Sequence, residues 1–217
     1  MEYTKIELQS KEYRNCSALE TEDLVHSHPI LYTVLAKLFY FLLKYKHVPV
    51  FFGLGLLVPI PKDSAKKGIM SVDQFRGITI SPVISKVFEH CILIIYNKYF
   101  KSSERQFGFK CKLSCAHAIY AVRKVTEYFV QNDSTVNLCC LDISKAFDRV
   151  NCNRLFLKLM NLSVPINIIV LLRNWYANLS SCVRWGNTVS DFFPVNCGVR
   201  QGGVLSATLF TIYVDNI

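Results

Sequence analysis

Asp142 closes an almost wholly apolar run, VNLCCLDI (136–143). A carboxylate at the end of a buried strand is costly unless something compensates it. Two compensations are open. A hard divalent cation with oxygen ligands would serve, and so would a backbone amide or an arginine. The wider segment LDISKAFDRV (141–150) sets Asp142, Phe147 and Asp148 across a strand-to-helix transition. GVRQGGVLSATLF (198–210) sets a glycine loop before a helix that Ser206 can cap. PIPK (59–62) and QFRGITISPVISKVFE (74–89) bring Lys62 and Arg76 close to turns. Cys111, Cys115 and His117 have a faint metal-ligand spacing, but no second ligand pair follows at finger distance. Trp175, Tyr176 and Trp185 suit either base stacking or core packing.

The chain that must position these groups has 217 residues, 51% of them hydrophobic and 19% charged. That composition excludes disordered, collagen-like and low-complexity classes. The net charge is +9, and it is uneven. Residues 1–23 carry three basic and six acidic side chains, so the remainder has a net charge of +12. A basic body favours an anionic partner, nucleic acid first, or is simply a solvated basic surface. Lys66, Lys67, Lys98, Lys101, Arg105, Lys110 and Lys112 could line a groove for such a partner.

Nine scattered cysteines and a polar N-terminus read as an intracellular protein (nucleus or cytoplasm), not a secreted one. The longest stretch without Asp, Glu, Lys or Arg is His47–Pro61. It falls short of the roughly 18 residues that span a bilayer, so no membrane association is expected.

Patterning divides the chain into an N-terminal connector (1–23), then alternating helices and strands. A buried helix is expected over Leu24–Tyr45. Strands are expected at 54–62 and 75–80, with a charged loop, KDSAKKG (62–68), between them. Ser81 or Ser85 would cap a helix reaching about Phe100. Ala116–Val130 has helical spacing, with Val122, Val125 and Phe129 on one face. Val136–Ile143 reads as a buried strand. Helices follow at about 149–160 and 165–178. A hairpin around a Gly-Asn turn (183–196) comes next, then the helix behind Ser206. The fold class is α+β, mixed α/β.

Four of these blocks in this order, with QFGF at 106–109, resemble the reverse transcriptases of non-LTR (LINE-type) retrotransposons. The resemblance begins near Leu31 and is strong from Leu54 to Ile217. The wording of LDISKAFD and GVRQGGVLS points away from group II intron maturases and telomerases. It implies a right-hand polymerase, with fingers over 24–130 and a partial palm over 131–217. It also implies roles. Asp142 would be the catalytic, metal-binding aspartate, with the Ile143 carbonyl as a further ligand for Mg2+ (or Mn2+) in a complete palm. Lys62 and Arg76 would contact the incoming triphosphate, for which arginine's permanent charge and forked donors are suited. Phe147 would stack under the deoxyribose and exclude a 2′-hydroxyl. Arg200, Gln201 and Gly202 would form the loop that packs against the nascent pair and the template or primer strand. Asp148 would act as a helix N-cap or local acceptor, and Ser206 as a structural cap. The substrates implied are an RNA template, a DNA primer and deoxynucleoside triphosphates.

Two departures from the family pattern shape the expectation. Ala207 stands where the family usually has proline, a change of little consequence since alanine is a good helix former. The β-hairpin with Tyr/Phe-x-Asp-Asp, and the thumb, do not occur in these 217 residues. The expectation is therefore a truncated palm that is inactive alone. The alternatives are a relic of the same fold that binds nucleic acid without catalysis, and a fragment that does not fold stably.

Overall fold

The computed structural model describes residues 21–62, 71–110 and 112–215. The connector expectation falls mainly on residues outside this set, as do Lys66, Lys67 and Cys111. What is described is an open mixed sheet together with helices that pack mainly on one another. The helices are α1 (Thr21–Val25), α2 (Ile30–Tyr45), α3 (Val83–Ile95), α4 (Cys115–Gln131), α5 (Cys152–Asn161), α6 (Ile166–Ala177) and α7 (Val204–Val214). The strands are β1 (Leu54–Pro61), β2 (Phe75–Ile80), β3 (Ser180–Trp185), β4 (Thr188–Val189) and β5 (Phe193–Pro194).

β1 is the hinge of the sheet. It pairs antiparallel with β2, Leu57 opposite Thr79, and parallel with β3, Leu54 opposite Ser180. β3 turns at Gly186 (φ +59°), a left-handed position suited to glycine, and returns as β4. β5 then pairs with the start of β3. The expected hairpin is thus present, and its first strand is also the partner of the 54–61 strand.

The core lies where α2, α3, α5, α6 and α7 meet. Phe52, Phe88, Leu155, Leu159, Leu171, Leu172 and Leu209 are fully buried there. Phe88 stacks near Trp175, ring centroids 5.8 Å apart, and Phe52 lies 5.7 Å from Trp175. The Trp175 indole donates to the Phe52 carbonyl at 3.0 Å. Trp175 is therefore a core residue with its one polar atom satisfied. Trp185 is exposed and meets Phe75 edge-on.

Five expectations need correction. The single helix over Leu24–Tyr45 is two helices, broken at Ser27–Pro29, because proline has no N–H to continue a helix. Its second part is not wholly buried. Leu35, Phe39 and Leu42 face the core while Tyr40, Phe41 and Tyr45 face solvent. Neither Ser81 nor Ser85 caps α3; the cap position is Pro82, and the Ser85 hydroxyl donates back to the Pro82 carbonyl at 2.7 Å. α5 starts at Cys152, capped by the Asn151 side chain accepting from Arg154 N at 3.1 Å, so Asp148 is not the N-cap. α7 starts at Val204 behind Gly203, which puts Ser206 inside the first turn rather than at the cap.

The fifth correction concerns the buried strand over 136–143. Residues 135–143 have no regular secondary structure, and Leu138 and Leu141 are exposed. A strand is held by a partner's N–H and C=O groups, and no strand among the described residues lies alongside this segment. α4 preceding it buries none of its residues, so the Val122, Val125 and Phe129 face is formed but uncovered among the described residues.

Truncation at a core position and at this open face should therefore differ sharply. Phe88→Ala is expected to cost about 3–5 kcal/mol of unfolding free energy, and Val122→Ala to stay within about 0.5 kcal/mol. Urea denaturation of the two variants checks this.

Candidate functional site

Lys62, Arg76, Asp142 and Ile143 line one cleft of about 710 Å³, together with Asp73, Ser144, Lys145 and Arg149. Three short segments build it. Lys62 directly follows β1, and its backbone N–H donates to the Gln74 carbonyl at 2.8 Å. Arg76 sits on β2, directly across from Ile60, and is exposed. The 142–149 turn supplies the rest. The Lys62 ammonium donates to the Asp73 carbonyl at 2.7 Å, and Lys145 Nζ lies 2.6 Å from Asp73 Oδ1. That ion pair holds the Asp73 carboxyl below the usual carboxylate range, through the hydrogen bond from Lys145 first and its charge second. The Asp142 carboxylate is exposed. Among the described residues, four cations thus face two carboxylates, a surplus of positive charge that suits a phosphate-bearing ligand.

The 142–150 segment is tied to the glycine loop behind it. Gly198 N–H donates to the Val150 carbonyl at 2.8 Å, and Val199 N–H to the Phe147 carbonyl at 2.9 Å. The Phe147 ring stacks on Phe210 of α7, centroids 4.4 Å apart and planes within 16°, with Phe109 edge-on at 5.8 Å. On its other side the loop meets β2. Thr79 N–H donates to the Gln201 carbonyl at 2.7 Å. Gly202 has φ +119°, and a Cβ there would lie 2.6 Å from the Thr79 carbonyl oxygen. The Arg200 guanidinium points inward and donates to the carbonyls of Phe52 at 3.0 Å and Leu54 at 3.3 Å. The structure therefore gathers Lys62, Arg76, Asp142 and Ile143 in one place. Phe147, Gln201 and Gly202 stand beside it, and Arg200 is spent on the start of β1.

Residues 60–217 match the family model described as reverse transcriptase (RNA-dependent DNA polymerase). The chain belongs to the reverse transcriptase family. It is 29% identical over 188 residues to a probable RNA-directed DNA polymerase from transposon X-element of Drosophila melanogaster, covering 85% of this chain and 20% of that one. It is 26% identical over 201 residues to the RNA-directed DNA polymerase from mobile element jockey of Drosophila funebris, covering 89% and 21%. A probable RNA-directed DNA polymerase from transposon BS of Drosophila melanogaster is 24% identical over 192 residues. These are polymerases of non-LTR retrotransposons, and this chain spans about a fifth of their length.

Within this reverse transcriptase domain, a two-ion site needs several oxygen ligands converging on the ions. Asp142 and the Ile143 carbonyl offer part of one, while Asp73 is engaged by Lys145. Among the described residues no three His, Cys, Asp or Glu side chains lie together. The described residues alone therefore do not fit a pair of divalent ions. Of the faint cysteine–histidine spacing, His117 is occupied at the start of α4, its Nδ1 accepting from Ser114 N at 3.2 Å. No helix among the described residues is long and apolar enough to cross a membrane.

The sequence reading missed the group that holds the domain's loop from within. Glu89, buried on α3, accepts at Oε2 from Leu205 N–H at 2.7 Å, and Val204 N–H also bonds to it. The carboxylate thereby caps the N-terminus of α7, where free N–H groups and the helix dipole both favour negative charge. Arg200, Tyr176 and Ser206 surround the same small cavity of about 20 Å³. Burial is the largest influence on Glu89 and raises its pKa; the α7 amides and Arg200 pull the other way. Burial likewise pushes the Tyr176 hydroxyl up and pulls Arg200 down. The available signal was an acid inside SKVFEHCIL, on the same helical face as Phe88, Ser85 and Ile92.

Gly202→Ala forces a left-handed φ and a backbone clash together, and is expected to cost about 1–3 kcal/mol in urea unfolding. Glu89 gives a pH-dependent test. Its folded pKa is raised above the ordinary 4.5, so its contribution is most favourable below that value and is lost as pH rises through the folded value. Glu89→Gln removes the titration but keeps an acceptor. The stability of the native chain relative to Glu89→Gln should therefore fall as pH rises above 4.5. A difference that stays flat with pH would contradict it.

Proposed function

We propose that this chain is the nucleotide-binding part of a polymerase that copies RNA into DNA by two-metal nucleotidyl transfer. The observation that carries the reading is the single cleft shared by Lys62, Arg76 and Asp142, in a chain whose family is polymerising. In this reading Lys62 and Arg76 hold the triphosphate of the incoming deoxynucleotide. Asp142, with the Ile143 carbonyl, contributes one side of the metal site. When bound, Mg2+ (or Mn2+) would neutralise the phosphates and lower the pKa of the primer 3′-hydroxyl.

Phe147 supports the deoxyribose from below, its ring held flat by Phe210. Gln201 and Gly202 present the loop surface to the nascent pair and the template or primer strand. Arg200 sets the height of that loop from inside. The two proposed regions are a fingers-like part (24–130) and a partial palm (131–217). RNA template, DNA primer and deoxynucleoside triphosphates are the partners of the longer polymerase.

A second reading is favoured by the cleft's having, among the described residues, one carboxylate outside the Asp73–Lys145 ion pair. The 217 residues by themselves bind an RNA–DNA hybrid without extending it. A basic surface makes that binding salt-dependent. Two assays address both readings. In a longer polymerase carrying this sequence, Asp142→Ala should lower metal-dependent primer extension at least about a hundredfold. Undiminished extension would remove Asp142 from the proposed role. In the isolated chain, hybrid binding should weaken steadily between low and physiological salt with no incorporation. Metal-dependent extension by the isolated chain that vanishes in Asp142→Ala would overturn the second reading.

A further inference from the structure

Asp73 and Lys145 have a relationship that a purely structural ion pair does not explain. They lie on different walls of the cleft, Asp73 in the short turn (Val72–Gln74) before β2 and Lys145 in the turn after Asp142. Their contact is short, 2.6 Å, yet both side chains are largely exposed, 57% for Lys145 and 71% for Asp73. An exposed pair of this kind contributes little to stability, since water and salt screen it. Lys145 nevertheless sits at φ +53°, a left-handed conformation that disfavours a side chain with a Cβ. The turn fixes it there: the Lys145 carbonyl accepts from Asp148 N–H at 3.0 Å and from Arg149 N–H at 3.1 Å. The backbone thus aims the lysine stem into the cleft at a conformational cost that the ion pair does not justify. Asp73 also takes the Lys62 ammonium on its backbone carbonyl, so one residue engages two of the four cations lining the cleft.

We infer that Lys145 is a further phosphate-binding side chain of this cleft, and that the Asp73 carboxylate stands where an oxygen of a polyphosphate ligand binds. The inference rests on the nucleotide-binding reading of the cleft and adds a competitor to it. A polyphosphate carries several negative charges and offers many acceptor oxygens. It can engage Lys62, Arg76 and Lys145 together, whereas Asp73 offers one charge. Binding exchanges the Lys145–Asp73 contact for Lys145–phosphate contacts and releases Asp73 to water.

The test is calorimetric titration of the 217-residue chain with inorganic tripolyphosphate, without divalent metal, at low salt. Lys145→Ala should weaken binding about threefold to fivefold, and Asp73→Asn should tighten it by a similar factor. Lys145→Arg keeps the charge and should bind like the native chain. Far-UV circular dichroism confirms that each variant is folded, which their surface positions favour.

If Lys62→Ala and Arg76→Ala weaken binding while Lys145→Ala and Asp73→Asn leave it unchanged, the inference falls and the cleft reading stands. Weaker binding by Asp73→Asn would also overturn it, since Asp73 would then be orienting the lysine rather than competing for it. If the native chain binds no tripolyphosphate, or none of the four variants matters, both readings fall together.

Discussion

The loop over 197–203 is where the described parts of this chain are held in register. Its backbone donates to the 147–150 segment at two points, through Gly198 and Val199, and accepts from β2 through the Gln201 carbonyl. Its arginine anchors the residues entering and opening β1. Its far end passes directly into α7, whose first free amides are taken by Glu89 of α3. The constraint is geometric. Two of these segments come so close to the loop backbone that a side chain would not fit between them. Gly198 lies against the backbone of Phe147 and Asp148, and Gly202 against Thr79. Any Cβ at these two places would push the cleft walls apart.

The cleft's charge follows from that arrangement. β1 and β2 bring Lys62 and Arg76 to one wall by antiparallel pairing. The loop places the 142–149 turn opposite. Each wall has one more cation than carboxylate, Lys62 and Arg76 against Asp73 on one and Lys145 and Arg149 against Asp142 on the other, and their convergence doubles that surplus. Buried polarity is handled differently from surface polarity. Glu89 and Arg200 are compensated from several directions by α7 amides, β1 carbonyls and one another. Their burial is tolerable because nearly every polar atom around that cavity finds a partner. In the cleft, by contrast, Asp73, Lys145 and Arg76 remain in water, where partners can be exchanged at small cost.

The aromatic cluster of Phe109, Phe147 and Phe210 joins the two regimes. Phe147 and Phe210 are half-buried and Phe109 is exposed, and the stacking makes the position of the Phe147 ring depend on α7. α7 in turn depends on Glu89 at its N-terminus and on Lys158 at its C-terminus, where the ammonium donates to the carbonyls of Tyr213 and Asp215. The Asp215 carboxylate accepts from Ser103 N–H at 2.9 Å, so this acid fastens the 101–110 segment to the helix end.

Much of this was determined by sequence alone. The short strands at 54–61 and 75–80, the helices at 115–131 and 166–177, and the Gly-Asn hairpin turn come from local patterning, and they form where the pattern puts them. The motif residues Lys62, Arg76 and Asp142 were legible because their types and neighbours are distinctive. Tertiary structure decided the rest, for identifiable reasons. A strand cannot be read from apolar composition when no partner strand lies beside it among the described residues, so 136–143 was expected to be buried and is largely exposed. Parallel pairing of β1 with β3 joins segments far apart in sequence and leaves no local trace. The cap of α7 is supplied from afar: Glu89, more than a hundred residues upstream, does for that helix what Ser206 was expected to do. The pairing of Asp73 with Lys145 likewise exists only because two turns converge, and a spacing rule cannot register a contact that the chain makes by folding back on itself.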